Sequence, residues 1–341
     1  MEKENIKKIV LTGGPCAGKT TIFESIEKYL KEKDYYVITL NETATELIKS
    51  NIIPCYDKTL TLIFQDIIMK YQYIKERCAY NYAKSIAKNK KVIILCDRGI
   101  MDNFAYLDTY EEFERILSNN NLDELKFLND YDLVIDLVST ATLKPDSYEL
   151  DGIRYETIDE ATIKDKKTST AWAHHSNLKI IKPTKDINKK KDIVLKEIEK
   201  YLNDIKREHY KELYQLDISS NLSIYNSNNS RLVNILKIYL NHNLVITEKK
   251  YRNSTIYTLS EGKYEKVISN EEVIRIISKN QIISKEQYRE IDFVDKGNFY
   301  KIIEYNGKLY LECDKLVIDI PNNLVLLSKK DYVKSKKCDI I

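Results

Sequence analysis

The octapeptide Gly13-Gly14-Pro15-Cys16-Ala17-Gly18-Lys19-Thr20 constrains this chain more than any other stretch. It follows a short apolar run at residues 6–11 and precedes an amphipathic stretch at 19–33. Gly-x4-Gly-Lys-Thr thus falls between a strand and a helix, the setting a phosphate-binding loop needs. Glycines at 13, 14 and 18 let the backbone turn so that successive N–H groups face phosphate oxygens. The first helical turn, through Thr21, adds unpaired N–H groups and the positive dipole end. Lys19 is placed to neutralise the β- and γ-phosphates, and the Thr20 hydroxyl to ligate Mg²⁺.

The surrounding pattern fits a nucleotide-binding sheet. Apolar runs at 35–40, 92–96, 133–138 and 180–181 alternate with helical periodicity at 59–89, near 110–129 and at 188–214. Strands separated by helices imply parallel pairing, and an unbroken Val-Ile-Ile-Leu run fits a strand covered on both faces. The expected class is α/β: a doubly wound parallel sheet over 1–215. Residues 217–230, rich in Ser and Asn, break the rhythm, so 216–230 is taken as a linker. Beyond them come alternating runs at 244–251, 255–259, 299–305, 308–312 and 324–327, one helix at 271–279, and the hairpin signal Asn306-Gly307. Residues 231–341 are therefore expected to form a smaller, mostly antiparallel β domain.

Three positions accompany the loop. Asp97 ends the run Val92–Cys96, where open α/β sheets bind ligands, and fits either a Mg²⁺-holding carboxylate or a turn cap paired with Arg98. Arg98 is suited to stabilise charge on a transferring phosphoryl group. Glu42, after the second strand, reads either as a carboxylate that accepts a hydroxyl proton or orients water, or as a helix cap. Asp102, one turn beyond Arg98, is a candidate for a second substrate. Arg154 reads either as a lid arginine closing over phosphates or as a surface side chain, and Trp172, the only tryptophan, as core. No [NT]KxD guanine-reading motif is present, so ATP and GTP both remain candidates.

Composition excludes several classes. The net charge is +3 over 341 residues, which does not suggest a nucleic-acid binder. Residues 231–341 carry a net +5 against −2 for the rest, which makes the C-terminal region the better anion binder. Six cysteines (Cys16, Cys55, Cys78, Cys96, Cys313, Cys338) lie far apart with no CxxC pair, as reduced cytosolic thiols do. The N-terminus runs straight into a strand and no apolar run approaches a membrane span, so a cytoplasmic protein, able at most to contact a membrane surface, is expected.

With these residues assembled, the N-terminal region resembles the AAA-type P-loop domain shared by nicotinamide riboside kinase (NadR-type) proteins and the TRPL translocation defect protein. The matching stretches are LTGGPCAGKTT at 11–21, NETA at 41–44, CDRGIMDNFAY at 96–106 and RYETIDEA at 154–161, followed by Asp165 and Ala171-Trp172-Ala173-His174. The C-terminal region resembles a CYTH-like triphosphate-tunnel domain. There the ExExK entry strand reads Ile246-Thr247-Glu248-Lys249-Lys250, with the first Glu replaced, and Lys250, Arg252, Arg289 and Lys301 are candidate anion contacts. The resemblance implies Mg²⁺-dependent binding of a nucleoside triphosphate (ATP or GTP) and phosphoryl transfer. Lys19, Glu42, Asp97, Arg98 and Arg154 would be catalytic, residues 13–21 would bind the nucleotide, and Thr20 and Asp97 the metal. The acceptor would be a nucleoside-like hydroxyl; alternatively, the protein would be a slow nucleotide switch whose second domain binds an anionic partner.

Overall fold

The computed structural model describes residues 5–54, 57–139, 158–184, 186–203, 212–216, 231–252, 254–262, 264–295, 297–313 and 325–326. They fall into two compact units, Met1–Ile205 and Lys206–Ile341. Arg154 and the linker segment 217–230 lie outside the described residues.

The first unit is built on five parallel strands, β1 (Ile6–Gly13), β2 (Tyr36–Leu40), β3 (Val92–Asp97), β4 (Leu133–Leu137) and β5 (Leu178–Ile181), in the order β2-β3-β1-β4-β5. The expected parallel sheet is present. The run Val92–Cys96 of β3 is unbroken apolar sequence and buried throughout, as suits a strand that helices cover on both faces. One core joins Ile9, Leu11, Ile93, Leu95 and Ile135 to Ile22, Ile26 and Leu30 of α1 (Lys19–Glu32) and to Val194 and Ile198 of α7 (Ile187–Leu202). On the other face lies α3 (Lys58–Ile86), whose N-cap Asp57 accepts the Leu60 N–H.

Several elements differ from the sequence expectations. Helix α2 (Thr43–Lys49) is too short to show a period; it starts after Glu42, in keeping with the helix-cap reading of that residue, although the carboxylate makes no capping hydrogen bond. The stretch near 110–129 is two helices, α4 (Tyr110–Asn119), with a Thr109/Glu112 capping box, and α5 (Glu124–Leu128), because Asp123 starts a new cap. Between β3 and α4 a 3-10 segment, Ile100–Tyr106, is almost wholly buried. Helix α6 (Ile158–Ala171) precedes β5. Helix α7 stops at Leu202, short of residue 214, and Glu212–Leu216 is instead a strand, β6.

The second unit is an antiparallel sheet, as expected. Its strands are β6, β7 (Arg231–Leu240), β8 (Leu244–Tyr251), β9 (Ser254–Glu261), β10 (Tyr264–Ile268), β11 (Ile282–Asp295), β12 (Asn298–Tyr305), β13 (Lys308–Cys313) and β14 (Val325–Leu326). The order is β10-β9-β8-β7-β11-β12-β13-β6-β14. The long central strands β7 and β11 were missed, since charged and apolar residues interleave in both. Helix α8 (Asn270–Lys279) covers one face through Val273, Ile276 and Ile277, packed on Ile238, Ile246 and Ile268.

A buried charge anchors the first unit. Lys8 on β1 is 4% exposed, and its Nζ donates to Glu76 Oε2 of α3 at 3.1 Å and to Asp130. Burial works to lower the Lys8 pKa, but the charges of Glu76 and Asp130 outweigh it and raise it. Glu76 also accepts from Tyr131 at 2.8 Å and from Gln72 at 3.2 Å. Removing one partner strands the other in a dry site. Glu76→Ala is expected to cost roughly 3 kcal/mol. Urea unfolding followed through Trp172 fluorescence checks this for the N-terminal unit, since that indole is the only one in the chain and is fully buried there.

Candidate nucleotide site

The glycine loop leaves β1 at the centre of the sheet. Gly13 has φ +139°, and a Cβ there would lie 2.2 Å from the Leu137 carbonyl oxygen, so β1 and β4 approach too closely for any side chain. Gly18, at φ +83°, begins α1, and Thr20 and Thr21 stand exposed on the first turn, where a helix has N–H groups without intrahelical partners. The Lys19 ammonium folds back over the loop, donating to the Gly13 and Gly14 carbonyls at 2.9 Å each. Burial, then the Arg98 charge, pushes its pKa down to about 8, against the pull of Glu42 and Asp97. An arriving phosphate offers this ammonium better acceptors than two neutral carbonyls.

The underside of the loop is tied by residues far away in sequence. The Asp165 carboxylate on α6 accepts from the Gly14 N–H at 2.9 Å and the Ser139 N–H at 3.0 Å. The Ser139 hydroxyl donates to the Pro15 carbonyl at 2.6 Å. Lys190 of α7, 1% exposed, donates to the Ala17 and Val138 carbonyls at 2.9 Å each. Sequence reasoning missed Lys190 and Ser139 altogether and gave Asp165 no role. A lysine on the buried stripe of an amphipathic helix was the available signal.

On the next strand Asp97 ends β3, level with Leu11 in the sheet register. Its Oδ1 is buried with no hydrogen-bond partner among the described residues. Burial, then the nearby Glu42 charge, pushes its pKa up to about 6. Arg98 adopts φ +70°, donates through Nε to Glu42, and lies over the Tyr106 ring at 5.7 Å. Gln72 of α3 donates to the Arg98 carbonyl at 3.0 Å and steadies this strained turn. Burial works to raise the Glu42 carboxyl, but the Arg98 guanidinium, with Thr45 and Lys19, brings it down to about 2. Lys19, Glu42, Asp97 and Arg98 are thus brought together in one charge cluster.

Asp102 does not face a ligand. It is 2% exposed and accepts from the Thr12 hydroxyl, the Gly99 N–H at 2.6 Å and Trp172 Nε1 at 3.2 Å. The reading of Asp102 as a second-substrate contact is therefore corrected: it fastens the Asp97–Gly99 turn to β1. Trp172 is core, as read from the sequence, packed edge-on against Tyr131 at 5.1 Å. The candidate anion contacts of the second unit do not converge. Lys250 and Arg289 both stand in register with Asn234 on one face of the sheet, whereas Lys301 pairs with Asp292 on the other. Arg252 sits in the turn after β8, over the Tyr251 ring.

A glycine loop on the central strand of a parallel sheet, with a lysine over the loop and a carboxylate at the end of the neighbouring strand, defines a P-loop nucleotide-binding domain. Residues 8–190 match a family described as an AAA domain, and because that is more than half of the sequence, the chain belongs to this family. The fold is similar to a crystal structure of thymidylate kinase from Ehrlichia chaffeensis, at 18% identity and a TM-score of 0.36, over 57% of this chain and 98% of that one. No curated protein matches the sequence. No helix among the described residues is long and apolar enough to cross a membrane.

Two substitutions test the underside of the loop. A Cβ on Gly14 would lie 2.3 Å from Asp165 Oδ1 and 2.7 Å from Asp165 Cβ, so Gly14→Ala is expected to push α6 away and weaken nucleotide binding by roughly tenfold or more. Isothermal titration with ATP and with GTP reads this. Asp136, fully buried on β4, accepts from the Ser169 hydroxyl, and burial together with the Asp165 charge pushes its pKa up to about 8. Unfolded, an aspartate titrates near ~3.9. Between those values the folded state holds the extra proton, so this group lowers stability as pH rises. Asp136→Asn removes that slope, and its melting temperature should exceed that of the parent at pH 8 by more than at pH 5.5.

Proposed function

We propose that the N-terminal unit binds a nucleoside triphosphate, ATP or GTP, and transfers its terminal phosphoryl group to a hydroxyl of a nucleoside-like small molecule. The observation that carries this reading is the convergence of Lys19, Arg98 and Asp97 beside the glycine loop. Two cations and a row of backbone donors suit an oligophosphate, and one carboxylate with an unsatisfied oxygen suits a cation.

The backbone of residues 13–18 and the first turn of α1 receive the phosphates, and Lys19 leaves the Gly13 and Gly14 carbonyls to take their oxygens. The donor set fits Mg²⁺: the exposed Thr20 hydroxyl and the orphaned Asp97 Oδ1 would hold it. When bound, that ion supplies charge neutralisation between the phosphates. The acceptor oxygen attacks the terminal phosphorus, the bond to the bridging oxygen breaks, and the nucleoside diphosphate leaves. Arg98 balances charge spreading over the transferring group. Glu42, held near 2 by Arg98, is a weak base, so it orients the acceptor hydroxyl by hydrogen bonding and its proton departs late, to water. Arg154 is assigned to the lid from the sequence pattern.

A specific feature of the β unit keeps a second reading in view, a slow nucleotide switch whose CYTH-like domain binds an anionic partner. Arg231, Asp292 and Lys301 stand in one cross-strand row, with Lys249 on the same face, and Lys301 Nζ lies 3.0 Å from Glu290 and 3.4 Å from Asp292. Lys301 is already matched by these two carboxylates, so an anion that binds there must displace internal ion pairs. That favours the kinase.

Steady-state turnover with a panel of nucleosides separates the two. A kinase speeds up at least about tenfold with the right acceptor, and Lys19→Ala lowers turnover by roughly a hundredfold or more. Turnover that no acceptor raises would remove the kinase, and a Lys19→Ala protein that binds nucleotide as well as the parent would remove the whole assignment.

A further inference from the structure

We infer that the exposed face of α3 is a docking surface for a second copy of this chain, which pairs its own α3 antiparallel about a two-fold axis near Tyr71. Along this 29-residue helix the residues Leu60, Ile63, Ile67, Tyr71, Ile74, Cys78 and Tyr82 follow one another at spacings of three or four. At 3.6 residues per turn they fall within an arc of roughly 100°. It flanks the buried side, which Phe64, Ile68, Gln72, Glu76, Ala79 and Ala83 form. The stripe is open to solvent: Leu60 is 45% exposed, Ile63 50%, Tyr71 43%, Ile74 56% and Tyr82 54%. A helix that buries one face ordinarily makes the other polar. Here an apolar stripe lies between the buried face and the exposed side chains of Lys70, Arg77, Asn81 and Lys84.

The surface continues sideways. Helix α2 packs on α3 through Leu47, Phe64 and Ile68, and its end folds back so that the Ile52 N–H donates to the Leu47 carbonyl. Ile48, Ile52 and Ile53 are exposed there at 43%, 41% and 56%. The largest apolar patch on a monomer is roughly 300–600 Å². A standard interface buries roughly 800 Å² on each partner, and the stripe and the neighbouring isoleucines would form its apolar centre.

Charge selects the occupant and its direction. Outside its core the N-terminal half of α3 balances Asp57 and Asp66 against Lys58 and Lys70, whereas its C-terminal half and the turn beyond carry Arg77, Lys84 and Lys88 with no exposed acid. A parallel pair would set the basic ends side by side. An antiparallel pair sets each basic end against the near-neutral half of the other copy and opposes the helix dipoles favourably. Asp66 and Arg77 lie on the same edge of the stripe, five residues before and six after Tyr71. A two-fold axis near Tyr71 therefore brings Asp66 of each copy opposite Arg77 of the other, in a self-complementary contact. Asp66 keeps Lys70 and Asn120 as neighbours at 2.6 Å, so it is ordered before the partner arrives.

Sedimentation velocity on the full chain tests this, with Trp172 fluorescence as the folding control. The parent should sediment as a dimer at micromolar concentration. Ile74→Glu, at an exposed position that the fold does not need, should raise the dissociation constant at least about a hundredfold. Arg77→Asp should weaken the dimer about tenfold, and the Asp66→Arg/Arg77→Asp double variant should recover most of that loss. A parent monomeric up to about 100 μM, or a dimer indifferent to Ile74→Glu, overturns the inference. A monomeric parent that floats with phosphatidylcholine vesicles overturns it as well and assigns the stripe to lipid.

Discussion

A loop that must turn its amides toward an anion cannot hold itself in that shape, and in this chain the restraint comes from beneath. The Asp165 carboxylate takes the Gly14 N–H, Ser139 takes the Pro15 carbonyl and Lys190 takes the Ala17 carbonyl. Three consecutive parts of the loop are thus fixed by α6, the end of β4 and α7. Each bond is made away from bulk water, where leaving one partner unsatisfied costs more than the bond is worth on the surface. The binding face is therefore preorganised at the expense of a crowded, polar underside. That underside contains Asp136, whose pKa is raised by burial and then by the charge of the nearby Asp165.

The upper side follows a different logic. Lys19, Arg98, Glu42 and Asp97 form one titrating cluster in which each charge sets the others. Arg98 holds Glu42 ionised, while burial and the Glu42 charge raise Asp97 to about 6. Two carboxylates on neighbouring strand ends are driven apart in acidity by one guanidinium, and that difference separates their roles. A carboxylate near 2 is a fixed hydrogen-bond acceptor. One near 6, with an oxygen that no donor reaches, exchanges its proton readily for a metal ion.

The parallel sheet was legible because its information is local. Residues 6–11 and 92–96 are apolar runs, the glycine loop has a fixed spelling, and Asp97 follows its strand directly. Asp165 and Lys190 stood in plain view as an acid and a base on helices, but their partners are 151 and 173 residues away. No period or spacing encodes a contact closed by tertiary packing. Asp102 misled for the same reason: one helical turn beyond Arg98 looks like a second site until Thr12, Gly99 and Trp172 converge on it. In the second unit, β11 mixes charge with apolar residues through most of its 14 positions, because both of its faces bury side chains and one of them is charged.

Face parity also decides how the second unit reads. Successive residues of a strand point to opposite faces, so Ile246, Glu248 and Lys250 share one face of β8, and Thr247 and Lys249 the other. Ile246 is fully buried against Ile238, Ile268 and the α8 residue Val273. A carboxylate at position 246 would be stranded in that apolar cluster, so isoleucine there is a packing requirement of the covered face. The polar side of the sheet is the one carrying Lys249, Arg231, Asp292 and Lys301. Whatever chemistry the β unit has must be sought on that face, one residue out of step with the pattern that the sequence suggests.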